Sequence, residues 1–232
     1  MKKNIVVLSG AGMSAESGIN TFRDNDGLWE GHDVMEVASP EGWYKDKALV
    51  LDFYNQRRAQ LKRVSPNLGH QALADLEQHF DVCVITQNVD DLHERAGSSH
   101  IIHLHGELLK SQSTVDPSLV YDCFDDIKLG DCCSSGGQLR PFIVWFGEEV
   151  PMLVSAIDQV SCADAIIIVG TSMQVYPAAS LAGYAPKHCP IYYIDPKPAV
   201  NSAVSQLQNL DVREDTASNG VPKLVKELIA TM

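Results

Sequence analysis

A chain of 232 residues with 45% hydrophobic and 21% charged residues has the make-up of an ordinary globular protein, long enough for one large domain or a large and a small one. Its 30 acidic against 18 basic side chains leave a formal net charge of −12 and a pI near 5.0, which gives no support for the basic stripe of a nucleic-acid binder. Six cysteines (Cys83, Cys123, Cys132, Cys133, Cys162 and Cys189) follow no disulfide rhythm and point to a reducing compartment.

Lys2 and Lys3 precede an apolar run that lasts only from Ile5 to Leu8, too short for a signal segment of about 7–15 residues. No apolar stretch approaches the roughly 20 residues needed to span a bilayer. We therefore expect a cytoplasmic protein without membrane or nucleic-acid partners, and a monomer.

NIVVLSGAG opens the chain as a buried, β-branched strand that ends in a tight glycine turn. Gly10, Gly12 and Ala15 fit G-x-G-x-x-G/A, the turn that brings backbone N–H groups to a pyrophosphate at a helix N-terminus. Such turns also arise from packing alone, and both readings stand at this point. The acidic residue that a dehydrogenase carries about 20 positions on has no counterpart.

Within LVLDFYNQRRAQL, the residues Leu49, Val50, Phe53 and Leu61 predict one buried helix face. Tyr54 and Arg57, three apart, point from one side of that helix. QALADLEQHF and YPAASLAGY read as further helices, and VPKLVKELIATM as a closing amphipathic helix. VCVITQNVD (Val82 to Asp90), IIHLHG (from Ile101), AIIIVGTS (Ala165 to Ser172) and IYYID (Ile191 to Asp195) read as four more strands. Strands alternating with helices imply an α/β fold with a parallel, doubly wound sheet. Residues 20 to 80 and 106 to 164 are too long for simple crossovers and read as insertions that build a smaller module.

The strand exits are polar. Gln87, Asn88 and Asp90 fall just past the second strand, where open α/β sheets bind ligands, though turn-forming residues there are also common. His103 and His105, two apart, face one side of the third strand, and either could be a core residue. An imidazole at a strand end also suits a general base.

GAGMSAESGINTFRD, TQNVDDLHERAG, HLHGEL, LRPFIVWFGE and VGTSMQVYPAA, in that order from about Ser9 to Ser218, together resemble the sirtuins, the NAD-dependent protein-lysine deacylases. The resemblance implies a Rossmann-like domain (about 1–25, 70–110 and 145–232) and a small module (about 26–69 and 111–144), with NAD as co-substrate and acyl-lysine meeting between them. It places Gly10, Ala11, Gly12, Ser17, Thr21, Phe22 and Arg23 in the cofactor loop. Gln87, Asn88 and Asp90 fall at the ribose and nicotinamide pockets, Gly170, Thr171 and Ser172 at the ribose–phosphate portion, and Ala217 near the adenine. His105 matches the catalytic base, which takes a proton from the ribose hydroxyls so that the acyl group can migrate to ADP-ribose. Asn88 and Asp90 are counted with it as catalytic. Val144, Trp145, Phe146 and Gly147 match the segment that pairs with the substrate backbone.

Tyr54 and Arg57 fit the Y-x-x-R pair of sirtuins that remove succinyl and malonyl groups, where a guanidinium can hold the distal carboxylate. The other reading makes Arg57 part of a solvated basic face with Arg58, Lys62 and Arg63. Small residues such as Ala15 leave room for a longer acyl chain, and acetyl-lysine remains an expected substrate. Two features depart from the family. Its four zinc-ligand positions fall on Ser113, Asp116, Cys132 and Ser135, one cysteine in four, which argues against a structural zinc and leaves no metal site. Asp195 stands where asparagine is frequent beside the adenosine ribose. Mono-ADP-ribosyl transfer and a non-catalytic NAD or acyl-lysine sensor are the competing functions.

Overall fold

The computed structural model describes residues 2–20, 28–199 and 201–232. In chain order these form β1 (Asn4–Ser9), α1 (Gly12–Ala15), the short strands β2 (Leu28–Trp29) and β3 (His32–Asp33), α2 (Val34–Val37), α3 (Pro40–Lys45), α4 (Lys47–Leu61) and α5 (Leu68–Leu76). There follow β4 (Asp81–Thr86), α6 (Leu92–Ala96), β5 (Ile101–His103), β6 (Gly106–Ser113), β7 (Val120–Asp122), β8 (Leu139–Ile143) and α7 (Leu153–Ser161). The last third holds β9 (Ala165–Val169), a 3-10 helix (Ala178–Tyr184), β10 (Ile191–Ile194), α8 (Ser202–Ser205), β11 (Leu210–Arg213) and α9 (Ala217–Thr231).

Six strands form one parallel sheet in the order β11-β10-β9-β1-β4-β5, the dinucleotide-fold order with its switch point between β1 and β9. Its central strands are apolar on both faces because helices cover both. Val6, Leu8, Cys83, Ile85, Ile166 and Ile168 pack on one side. Ile5, Val7, Val82, Val84, Ile167 and Val169 pack on the other, against Leu224 and Leu228 of α9.

A separate antiparallel sheet, β7-β6-β8, rises from the second long interval. The helices of the first interval pack on it through Val50, Phe53, Tyr54 and Leu61 of α4, with Leu108, Ile143 and Trp145 opposite. The carboxylate of Asp46 accepts from Leu49 N and caps α4, which removes one unsatisfied donor from its first turn.

All five expected sheet strands are present, and a sixth, β11, was not expected. β11 is short, half-exposed and at the sheet edge, so it lacks the apolar run that marks a buried strand. The segment read as a helix near Ala178 is a 3-10 turn. Among the described residues no helix is long and apolar enough to cross a membrane.

Candidate active site

The switch point opens at the carboxyl ends of β1 and β9. Gly10 N donates to Val169 O at 3.1 Å and Gly12 N to Gly170 O at 2.8 Å, so the two glycine turns lie against each other. A Cβ on Gly12 would stand 2.7 Å from Gly170 Cα, and Gly170 itself has φ +63°. Both positions therefore need glycine. Beside them, α9 starts with no side-chain cap, and the buried Thr216 Oγ1 has no partner among the described residues. A glycine cradle with an unpartnered donor beside it fits a dinucleotide.

Next to the cradle, Asn88 Nδ2 donates to Gly10 O and to Ser14 Oγ, each at 3.1 Å. Ser14 Oγ in turn donates to Asp90 Oδ2 at 2.9 Å. All three side chains are buried. Burial raises the Asp90 carboxyl to about 6, against the hydrogen bonds it accepts from Ser14 and Leu92 N. Gln87 reaches across the cleft, its Nε2 donating to Thr171 Oγ1 at 3.1 Å. Asn201 Nδ2 holds the carbonyls of Ser172 and Met173 at 2.9 and 2.8 Å.

His105 sits two residues past β5, and its Nδ1 donates to Gln87 O at 3.0 Å. That bond consumes the one proton of a neutral imidazole and leaves Nε2 with a lone pair. Burial lowers the His105 pKa, against the bond to Gln87 O that works to raise it, so the ring is a neutral base at physiological pH. His103, on the same side, sets Nδ1 3.3 Å from Asn88 O and Nε2 2.6 Å from Glu94 Oε1.

The remaining sequence-predicted residues fall around this cleft with different roles. Ser17 Oγ accepts from Asn67 Nδ2 at 3.1 Å. Ala11 is half-buried ahead of α1. Asp195 is buried and its Oδ1 accepts from Lys197 N at 2.9 Å, while Ala217 is buried in the first turn of α9. Thr21, Phe22 and Arg23 lie outside the described residues. Ala15 is exposed.

On α4 the two arginines separate. Arg58, read with the solvated face, is 1% exposed, its Nε donating to Leu108 O at 3.1 Å and its Nη1 to Asn55 Oδ1 at 2.8 Å. Lys62 and Arg63 are exposed. Arg57 is half-buried with its guanidinium carbon 5.0 Å from the Phe53 ring centroid, and its buried Nε has no partner among the described residues. Tyr54 is wholly buried, and its oxygen accepts from Trp145 Nε1 at 3.1 Å.

In the segment expected to pair with a substrate backbone, three N–H groups are already engaged. Val144 N donates to His105 O, Trp145 N to Glu148 Oε2 and Phe146 N to Ala38 O. Arg140 stacks 3.4 Å from the Trp145 ring and pairs bidentately with Glu148, which holds the segment in place.

The small sheet shows how the thiols near the expected ligand positions are placed. Cys133, not Cys132, is the inward thiol, and its Sγ donates to Ser113 Oγ at 3.1 Å. Ser113 Oγ also accepts from Val115 N and Asp116 N. Cys132 is exposed. One thiol facing a hydroxyl offers a single soft ligand where a tetrahedral zinc wants four nitrogen or sulfur donors, so these residues do not fit the metal.

Ser14, His103, Glu94 and Asn201 escaped the sequence reading as site residues. Ser14 lies inside the glycine motif, yet its partner Asp90 is 76 positions away, and only the β1–β4 pairing brings them together. Beneath them, His93 Nε2 lies 3.0 Å from Ser9 Oγ, with the His70 ring 4.8 Å away.

The Sir2 family model matches residues 10–177. A protein of Helicobacter pylori (strain ATCC 700392 / 26695) named NAD-dependent protein deacylase is 60% identical over 98% of both chains. One of the same name from Bacteroides thetaiotaomicron is 54% identical, again over 98% of each. A solved Sir2 homologue in complex with NAD superposes with a TM-score of 0.87 at 39% identity, covering 98% of this chain and 90% of that one. With the strand order, the paired glycine turns and the Asn88–Ser14–Asp90 chain already in place, the match settles the lineage: this chain belongs to the Sir2 family.

Proposed function

We propose that the protein is an NAD-dependent protein-lysine deacylase, with His105 as its general base. The observation that carries this is the pairing of a neutral, anchored His105 with the buried Asn88–Ser14–Asp90 chain at the switch point of the sheet. NAD, when bound, supplies the ribose carbon that takes the acyl oxygen as nicotinamide leaves. Gly10, Gly12, Gly170 and Thr216 would hold its phosphate and adenosine parts, and Gln87, Asn88 and Asp90 its nicotinamide ribose. His105 Nε2 accepts the proton released there, and Nδ1 stays pinned to Gln87 O, so the ring is oriented before substrate arrives.

The acyl group would enter towards α4. Tyr54 accepts from Trp145, so its own proton remains for an acceptor on the substrate. Arg57 carries a buried, unpartnered N–H, a costly arrangement unless a ligand completes it. A succinyl or malonyl carboxylate supplies both acceptors, and acetyl-lysine fits with water in their place. Peptide pairing would use Gly147 N and the Val144 carbonyl, since the other three N–H groups are engaged and Trp145 O accepts from Glu148 N. The small antiparallel sheet and the α2–α4 helices form the small module, and the substrates are acylated lysines of proteins in the cytoplasm.

The test is NAD-dependent turnover of one peptide, succinylated or acetylated, followed by mass spectrometry. His105→Ala should abolish both reactions while preserving the fold. A His105→Ala protein that still deacylates removes the base assignment. Mono-ADP-ribosyl transfer gains no support from the relatives, which are named deacylases, and it needs neither Tyr54 nor Arg57.

A further inference from the structure

We infer that His103 works as an imidazolium, bound between Glu94 and the Asn88 carbonyl, and is the positioning residue that sets where Asn88 stands in the cleft. The inference rests on the reading of Asn88 and His105 as parts of the NAD site.

Hydrogen-bond chemistry dictates the charge. Nε2 of His103 lies 2.6 Å from Glu94 Oε1, and Nδ1 lies 3.3 Å from Asn88 O. A backbone carbonyl can only accept, and so can an ionised carboxylate. A neutral imidazole has one N–H and can serve one of them; both bonds together require both ring nitrogens to carry protons. The alternative would need a protonated Glu94. Its carboxyl instead lies below the ordinary range, since burial is outweighed by the hydrogen bond and charge of His103, with Lys110 adding to them.

Every element around the ring bears on this state. Burial works against its charge, but Glu94 on α6, Glu107 on β6 and the Asn88 carbonyl outweigh it and raise the His103 pKa. Asp90 in the adjoining loop is favoured as a carboxylate by the same imidazolium. His93 on α6 is pushed further towards its neutral form by it. Lys110, which also acts on Glu94, pairs with Glu107 at 2.8 Å.

The two histidines of HLHG thus clamp consecutive carbonyls, His105 on Gln87 and His103 on Asn88. His105 must be neutral to accept a proton, whereas His103 must be charged to keep both of its bonds. The same Asn88 whose carbonyl is held uses its side chain to reach Gly10 and Ser14. When His103 loses its proton, one bond is lost, and the longer contact to Asn88 O goes before the short one to Glu94. The contribution is therefore present at low pH and disappears as pH rises through the raised folded value. Activity is therefore greatest between the lowered pKa of His105 and the raised pKa of His103.

The experiment combines long-range proton–nitrogen spectra of the histidine-labelled protein with kcat/KM for NAD across the alkaline range. His103→Gln identifies the resonances by their loss. We expect both His103 nitrogens to be protonated at neutral pH, and the alkaline fall in kcat/KM to track their titration. Glu94 is two-fifths exposed and Gln is its isostere, so Glu94→Gln keeps the fold. Because it removes the facing charge, it should lower the pH of the His103 titration and move the alkaline limb of kcat/KM down by the same amount, with little change at pH values below both titrations. A single protonated nitrogen at neutral pH overturns the proposal. So does a Glu94→Gln enzyme whose His103 titration moves while its alkaline limb stays, or one that loses activity equally at every pH, as a purely structural role would give. Deacylation that survives in His105→Ala brings down the base assignment and leaves the spectroscopic result on His103 standing.

Discussion

Arg57 and Arg58 are adjacent on α4 and should behave as opposites when each is changed to methionine. Methionine keeps much of the stem's apolar contact and deletes only the guanidinium. Arg58 Nε and Nη1 donate to Leu108 O and Asn55 Oδ1 inside the protein. Asn55 keeps a second donor in Ile127 N, so the main loss is an unpaired carbonyl at Leu108. Leaving a buried acceptor unpaired costs about 1–3 kcal/mol. Removing a buried cation whose Nη2 has no partner offsets part of that cost. We expect a net loss of about 1–2 kcal/mol, or roughly 2–8 °C in Tm at this chain length, with the succinyl-to-acetyl rate ratio unchanged. Arg57 has no hydrogen-bond partner to lose at Nε, so Arg57→Met should keep Tm within about 1 °C. It should lower desuccinylation by about 10- to 150-fold, the equivalent of a charge-assisted contact of roughly 1.5–3 kcal/mol, and spare deacetylation. Thermal unfolding and paired acyl-peptide assays read both quantities. An Arg57→Met enzyme with an unchanged acyl ratio, or one destabilised as much as Arg58→Met, refutes the division of labour.

Other expectations follow from single contacts. Tyr54→Phe should lose desuccinylation and also about 1–3 kcal/mol of stability, because the buried Trp145 Nε1 loses its acceptor; chemical denaturation tests this. Ser14→Ala removes the atom that joins Asn88 to Asp90. We expect at least about a tenfold drop in kcat/KM for NAD, since a loss of about 1.4 kcal/mol is tenfold, together with about 1–3 kcal/mol of stability because buried Asp90 loses a donor; an unchanged kcat/KM would remove Ser14 from the site. Burial lowers the pKa of His70 to about 4, and that of His93 lies well below the ordinary value because of burial and the neighbouring His70 and His103. Both stay neutral in the folded state, so their contribution is complete above the unfolded histidine value and fades as pH falls below it. Asp90, raised to about 6 by burial, acts in the opposite direction and favours the fold as pH falls. The two histidines outweigh it, so the urea midpoint should fall between about pH 6.5 and 4, and His70→Gln should flatten that slope. A midpoint that rises as pH falls through this range would refute the balance.

The five apolar strands could be read from the chain because a buried parallel strand demands a continuous run of β-branched residues, whatever surrounds it. The glycine turn, the polar exits at Gln87–Asp90 and the same-side placement of His103 and His105 follow equally from local pattern, since strand alternation is a property of the backbone itself. The edge strand β11 carries no such demand, so its register with β10 had no signal in the sequence.

Whether Arg58 is solvated or buried depends on a carbonyl 50 positions away, and a helix pattern reads any arginine as surface. Which of Cys132 and Cys133 points inward depends on the register of β8 against β6 and the turn before it, where a shift of one residue exchanges the two faces. The sequence by itself determined the sheet, the cofactor turn and the family of the chain. Only the tertiary structure decided that Ser14 links Asn88 to Asp90, that Trp145 orients Tyr54 and that Glu94 faces His103. Those are pairings between segments far apart in sequence, and hydrogen-bond partners are chosen by where the packed core brings the chain.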